Sequence, residues 1–287
     1  MKDAGNKSQR RFAFWKRLAT VVLLCLLVGC MLRRFEHNQV YYPLRQLDAS
    51  PAQLGRVFED VHFESSDGTK LHGWFFPADA ASSRAELVFL ICHGNAGNIS
   101  HRLSLCEALL ETGACVFVFD YRGYGQSEGR PGEEGTYLDA QAAHSWLRQK
   151  GFDGARIIPY GESLGGAVAA ELALRETVGG IVLQSTFTSI PDIGAEFFPR
   201  LMVRLINTIK YDTQSKLPRI HVPVLVLHSK TDELVRHHHA EKNFAAANES
   251  KLFRELSGGH NDPAWESPGF DAAVEEFLRM VAAQQEN

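Results

Sequence analysis

Three short stretches of this chain carry side chains that can do chemistry together. Gly161-Glu162-Ser163-Leu164-Gly165-Gly166 follows an apolar run ending at Tyr160 and opens a helical pattern. A serine on a sharp strand-to-helix turn has its Oγ pushed out of the sheet and set beside a helix N-terminus. Glycines flank it because side chains there would clash inside the turn. Asp232, in Ser229-Lys230-Thr231-Asp232-Glu233, comes just after a second apolar run, and His260, in Gly258-Gly259-His260-Asn261-Asp262, comes after the last stretch that reads as a strand, 251–256. In that chain order the three suit nucleophilic attack on a carbonyl. His260 takes the Ser163 proton and returns it to the leaving group, while Asp232 holds the imidazole tautomer and stabilises its cation. Glu233 is the rival acid, one residue further from the strand end.

Such attack leaves negative charge on the carbonyl oxygen, which two backbone N–H groups can hold. One belongs to the residue after the nucleophile, Leu164. The other is assigned to Asn95, in His93-Gly94-Asn95-Ala96-Gly97-Asn98, directly after the apolar run 87–92. The bland alternative for this loop is a glycine-rich turn in which His93 is structural. No metal is expected. His237, His238 and His239 point in different directions at a helix start, no carboxylate spacing completes a site, and they read as a solvated helix face. Asp120, in Asp120-Tyr121-Arg122-Gly123, reads as the organiser of its own turn.

The elements that must position these residues follow from apolar patterning. Residues 61–64 and 70–76 read as strands of a hairpin around Ser66-Asp67-Gly68. The continuous apolar run 87–92 and the stretch 115–119 read as strands buried on both faces, and 156–160, 180–184, 222–228 and 251–256 read as further strands. Helical patterns fall at 99–111, 137–149, 164–175, 236–247 and 270–283. Alternating strand and helix predicts one α/β domain with a mostly parallel sheet and helices on both faces. The alternation breaks between Ser185 and Ile220, and residues 186–220 read as a short helical cap insertion. Its Phe187, Phe197 and Phe198 either line an acyl pocket or simply pack the cap onto the body. Cys92, Cys106 and Cys115 fall at core positions and are expected buried and reduced.

The chain resembles the α/β-hydrolase superfamily of serine hydrolases, and more narrowly its membrane-anchored α/β-hydrolase-domain branch. The matching stretches are His93 to Asn98, Asp120-Tyr121-Arg122-Gly123-Tyr124-Gly125-Gln126-Ser127, Gly161 to Gly166 and Gly259-His260-Asn261-Asp262, with Tyr41-Tyr42-Pro43 near the anchor. The resemblance covers about residues 35–283. It implies Ser163, Asp232 and His260 as the triad, no cofactor, and esterase, lipase-like or acyl-thioesterase activity.

The N-terminus is a different material. Residues 1–17 carry six basic side chains and one acid, and Leu18 to Leu32 carries no charge. Residues 1–32 are therefore expected to be a signal peptide or membrane anchor, and residues 33–287 the hydrolase domain. Leu27-Val28-Gly29-Cys30 is similar to a bacterial lipobox, which would make Cys30 the lipidated first residue of a mature chain. The alternative is an uncleaved anchor with Cys30 an ordinary apolar position. In both cases the basic cluster stays cytoplasmic and the body is exported, to the periplasm or cell envelope of a bacterium.

The whole chain has 287 residues and a net charge of −4, and no basic excess suggests nucleic acid. Without residues 1–29 it carries 24 basic and 33 acidic side chains. So acidic a body would not adhere to anionic lipid by charge, and the anchor must supply membrane attachment. The expected function is a membrane-tethered serine hydrolase of carboxylic esters or thioesters, with acyl-chain substrates first. The alternatives are a serine peptidase or amidase of the same fold, and a catalytically silent surface-attached binding protein.

Overall fold

Strand side chains alternate between the two faces of a sheet, so a strand whose residues are all apolar needs cover on both sides. The computed structural model, which describes residues 2–285, supplies that cover. In chain order, α1 (Lys2–Val40) leads into the short β1 (Tyr42–Pro43), and a hairpin follows of β2 (Glu59–Glu64) and β3 (Lys70–Phe76). Next come β4 (Val88–Cys92), the short β5 (Ala96–Gly97), a 3-10 turn at Ile99–Arg102, α2 (Leu103–Leu110) and β6 (Cys115–Asp120). The chain then alternates through α3 (Glu133–Lys150), β7 (Ile157–Glu162), α4 (Leu164–Arg175) and β8 (Ile181–Gln184). Three short helices, α5 (Ile190–Phe197), α6 (Arg200–Ile206) and α7 (Thr213–Lys216), precede β9 (Val224–Ser229), α8 (His238–Ala246), β10 (Lys251–Leu256) and α9 (Phe270–Gln285).

The main sheet has eight strands in the order β10-β9-β8-β7-β4-β6-β3-β2. The pairings from β10 to β6 are parallel, and β3 and β2 add antiparallel to the far edge. Phe89 and Ile91 of β4 join one apolar cluster with α2 and α9. Val88, Leu90 and Cys92 join another with α3 and α4. All five are fully buried, and at roughly 2 kcal/mol for each large apolar side chain such burial dominates the stability of the sheet. Cys92, Cys106 and Cys115 are buried and unpaired.

Residue 99 begins a 3-10 turn rather than an α-helix because the Asn98 side chain accepts the Ser100 N–H, and α2 starts only at Leu103. The uncharged run 18–32 is part of α1, within a helix segment, Trp15–Val40, long and apolar enough to cross a bilayer. The helix continues past Leu32 to Val40, and its last turns are held by the body. The Glu36 carboxylate accepts the Thr208 N–H and hydroxyl, both at 2.7 Å, and the Ile209 N–H at 2.9 Å. Tyr41 donates its hydroxyl to that of Tyr211 at 3.1 Å.

Candidate active site

The parallel strands end on one side of the sheet, and the loops after β4, β7, β9 and β10 bring the four sequence-flagged stretches together there. After β7 the chain turns so sharply that Ser163 adopts φ 51° and ψ −112°, left-handed backbone that only a crowded, over-determined turn sustains in a serine. The crowding is visible at the glycines. A Cβ on Gly161 would lie 2.4 Å from the Gly166 Cα, and one on Gly165 would lie 1.8 Å from the Cys92 carbonyl oxygen. The Ser163 N–H donates to the Gln184 carbonyl at 2.8 Å, pinning the turn to the end of β8.

His260 lies between the hydroxyl and the acid. Its Nε2 is 3.2 Å from Ser163 Oγ and its Nδ1 is 2.8 Å from Asp232 Oδ2. Ser163 and Asp232 are both buried. The other Asp232 oxygen accepts the N–H groups of Leu234 and Val235, at 3.0 and 2.8 Å, which fixes the carboxylate plane. Burial alone would raise the Asp232 carboxyl, but the hydrogen bond and charge of His260 hold it below the usual carboxylate range. Glu233 does not compete for the imidazole. Its carboxylate accepts the His260 backbone N–H at 3.2 Å and so shapes the loop. Ser229 Oγ ties the end of β9 to the same loop by donating to the Gly258 carbonyl at 2.5 Å.

The loop after β4 packs against the serine turn. A Cβ on Gly94 would lie 3.6 Å from the Glu162 carbonyl oxygen, and one on Gly165 would meet the Cys92 and His93 carbonyl oxygens. Leu164 is the first residue of α4, and its N–H has no acceptor one turn earlier in that helix. Asn95 is held on three sides. Its amide donates to the Val40 carbonyl at 2.9 Å, and its own carbonyl accepts the Tyr42 N–H at 3.0 Å and the Tyr124 hydroxyl at 2.8 Å. Beneath the loop, His93 is fully buried, its Nδ1 donating to the Gly94 carbonyl at 2.7 Å and its Nε2 3.5 Å from Asp120 Oδ1. Burial pushes His93 down to about 3 and Asp120 up to about 8, each in the direction of its uncharged form. Asp120 also accepts the Ile99 N–H at 3.0 Å, a structural position for both residues.

A cleft of about 390 Å³ opens beside His260. It is lined by Leu44, Arg102, Glu162, Gln184 and Trp265, with Arg102 Nε 2.7 Å from Glu162. Neither partner of that ion pair stands out in sequence, since they are 60 residues apart. A second unflagged residue is His228, fully buried below the acid, with its Nε2 donating to the Val235 carbonyl at 2.7 Å. Burial lowers it to about 4. The signal was a lone polar residue ending the apolar run Val224-Leu225-Val226-Leu227.

Two expectations need correction or division. The three adjacent histidines are not a solvated helix face. His239 is fully buried, and its Nε2 and that of His238 lie 3.0 and 3.1 Å from one oxygen of Glu196 on α5. The Thr188 N–H donates to His239 Nδ1, so the ring's other nitrogen donates to Glu196 and the group latches the cap to α8. The cap phenylalanines separate: Phe187 is core, Phe198 meets α1, and Phe197 faces solvent.

Comparison with known proteins agrees with this architecture. Residues 88–211 match the alpha/beta hydrolase fold. An uncharacterised protein of Mycobacterium tuberculosis is 39% identical over 253 residues, which span 86% of this chain and 89% of that protein. The alpha/beta hydrolase domain-containing protein WAV2 of Arabidopsis thaliana is 34% identical over 264 residues, covering 83% and 85%. Among solved structures, an esterase of Pyrococcus furiosus has the same fold, with a TM-score of 0.68 at 21% identity, over 84% of this chain and 97% of that one.

Proposed function

The chain belongs to the alpha/beta hydrolase family, and from that we propose that it is a membrane-tethered serine hydrolase of acyl esters or thioesters. The observation that carries the reading is the line Ser163 Oγ–His260 Nε2 at 3.2 Å and His260 Nδ1–Asp232 at 2.8 Å. In this reading Ser163 Oγ attacks the acyl carbon as its proton passes to His260 Nε2. The N–H groups of Leu164 and Asn95 hold the oxyanion. Collapse expels the alcohol or thiol, which takes the proton from His260, and leaves the acyl group on Ser163. Water then attacks that ester by the same steps and releases the acid. Asp232 stays ionised throughout and stabilises the imidazolium.

Tethering rests on the apolar part of α1, either as a spanning helix or through lipid on Cys30, which lies exposed on that helix. The basic residues before it favour an exported body. The test is fluorophosphonate labelling and hydrolysis of a short p-nitrophenyl ester by the full chain. Wild type should label and turn over, and Ser163→Ala should do neither. Equal labelling of the two would overturn the assignment.

A further inference from the structure

We propose that the outer face of the cap docks into the bilayer that holds α1, with anionic phospholipid headgroups seated on the arginines around the junction. The inference rests on the tethered reading above.

Four observations carry it. First, Phe197, Leu201 and Leu205 are 53%, 69% and 76% exposed, and Leu201 and Leu205, four apart, share one face of α6. Three large apolar side chains exposed together at the end of α5 and along α6 suit an apolar surrounding rather than water. Second, the cap is fixed to the anchor at a definite height. Phe35 meets Phe198 edge-to-face at 6.1 Å, and Glu36 holds the residues just after α6. Glu36 lies four residues past Leu32, only about 6 Å along the helix axis from the end of the uncharged run. A bilayer that holds that run therefore has its headgroup level at α6.

Third, an apolar cavity of about 80 Å³ lies between the two elements, lined by Phe35, Val40, Ile190, Phe198, Met202 and Ile206, so the seam is itself greasy. Fourth, exposed basic side chains cluster on this side of the molecule. Arg33, Arg34 and Arg130 line a groove of about 460 Å³ beside the anchor, and Arg200 and Arg204 flank the exposed leucines. Though the body as a whole is acidic, this rim is locally matched to anionic lipid, which attracts basic clusters at the surface.

The full chain tests this in phosphatidylcholine–phosphatidylglycerol vesicles, with Cys25→Ala and Cys30→Ala as background, because Cys92, Cys106 and Cys115 are buried from labelling reagents. Nitroxides are placed through Leu201→Cys, Leu205→Cys, Leu23→Cys and Val57→Cys, one per protein. Collision rates are measured with oxygen, which concentrates in lipid, and with a water-soluble nickel chelate. The oxygen-to-nickel ratio at 201 and 205 should exceed that at 57 at least fivefold and approach that at 23. If 23 reads as lipid while 201 and 205 read like 57, the docking is wrong and the tether stands. If 23 itself reads as water, the spanning-helix form of the tether has failed and the docking with it. If 201 and 205 are shielded from both reagents and show spin–spin broadening, a second copy covers the face instead. As a second readout, Leu201→Ser/Leu205→Ser should slow hydrolysis of a long-chain ester carried in the vesicles about tenfold and leave a soluble short-chain ester unaffected. Equal effects on both substrates would also overturn the proposal.

Discussion

The side-chain amide of Asn95 donates to the backbone carbonyl of Val40 at 2.9 Å, joining the loop beside Ser163 to the last residue of the N-terminal helix. The next strand adds to the link, with β1 pairing parallel to β5 and the Tyr42 N–H bonded to the Asn95 carbonyl. The end of α1 thus helps to hold the loop that carries Asn95, the second oxyanion donor in the proposed mechanism. Asn95→Ala keeps the backbone N–H but frees the loop, so it should fold yet lose about 10- to 100-fold in kcat, less than the roughly 10²–10³-fold cost of removing an oxyanion donor outright. Removal of residues 1–34 should leave kcat on a soluble ester nearly intact, whereas removal of residues 1–44 should abolish it. Steady-state kinetics on the three proteins check this.

The two neighbouring acids make a sharp contrast. Asp232→Ala removes the partner of His260 Nδ1 and should lower kcat by about 10³–10⁴-fold. Glu233→Ala removes only an acceptor for the His260 backbone N–H and should cost less than about tenfold. Comparable losses in the two variants would mean that the acid had been misassigned.

Gly165→Ala should not yield folded protein, because its Cβ would overlap the Cys92 and His93 carbonyl oxygens, backbone atoms that cannot swing away. Gly132→Ala, with open space around its Cβ, is the matched control and should melt within a few degrees of wild type. Circular dichroism melts of both variants decide it.

These residues also mark how far sequence could reach. The strands were legible because β4, β6, β7 and β9 are apolar on both faces, and Ser163, Asp232 and His260 each follow the end of a strand, where turn chemistry gives them away. What escaped depends on partners remote in the chain. His239 reads as solvated until Glu196, 43 residues earlier, packs onto it. The Asn95–Val40 bond spans 55 residues, and nothing in either local sequence announces it. Phe187, Phe197 and Phe198 are alike in sequence, and only packing sends one to the core, one to solvent and one to the anchor.

His228 gives stability a pH dependence of known sign. In the unfolded chain it takes a proton near 6.5, and in the fold only near 4, because burial disfavours its charge. Between those values the unfolded state binds more protons, so this group lowers stability as pH falls from about 6.5 to about 4. His228→Asn keeps a donor for the Val235 carbonyl but cannot titrate. Its stability deficit relative to wild type should shrink across that window. Urea unfolding at pH 7.0 and 4.5 measures the change, and a constant deficit would refute it.

The mass of the membrane-bound chain separates the two forms of attachment. A spanning helix leaves all 287 residues in place, whereas a lipidated Cys30 requires loss of residues 1–29. Intact-mass spectrometry of wild type and Cys30→Ala should give two unprocessed masses that differ only by the sulfur atom of the substitution for a spanning helix, and for a lipoprotein a shortened, acylated wild type beside an unprocessed variant.

The Glu36 clamp has a mechanical consequence. A hydrolase on a slack leash would tumble above the membrane and sample every orientation. On the tethered reading the leash is a helix whose far end is bolted to the cap by three hydrogen bonds, so the body would inherit whatever tilt the helix takes. Bilayer thickness, which sets that tilt through hydrophobic mismatch, then becomes a control on which way the mouth of the enzyme points.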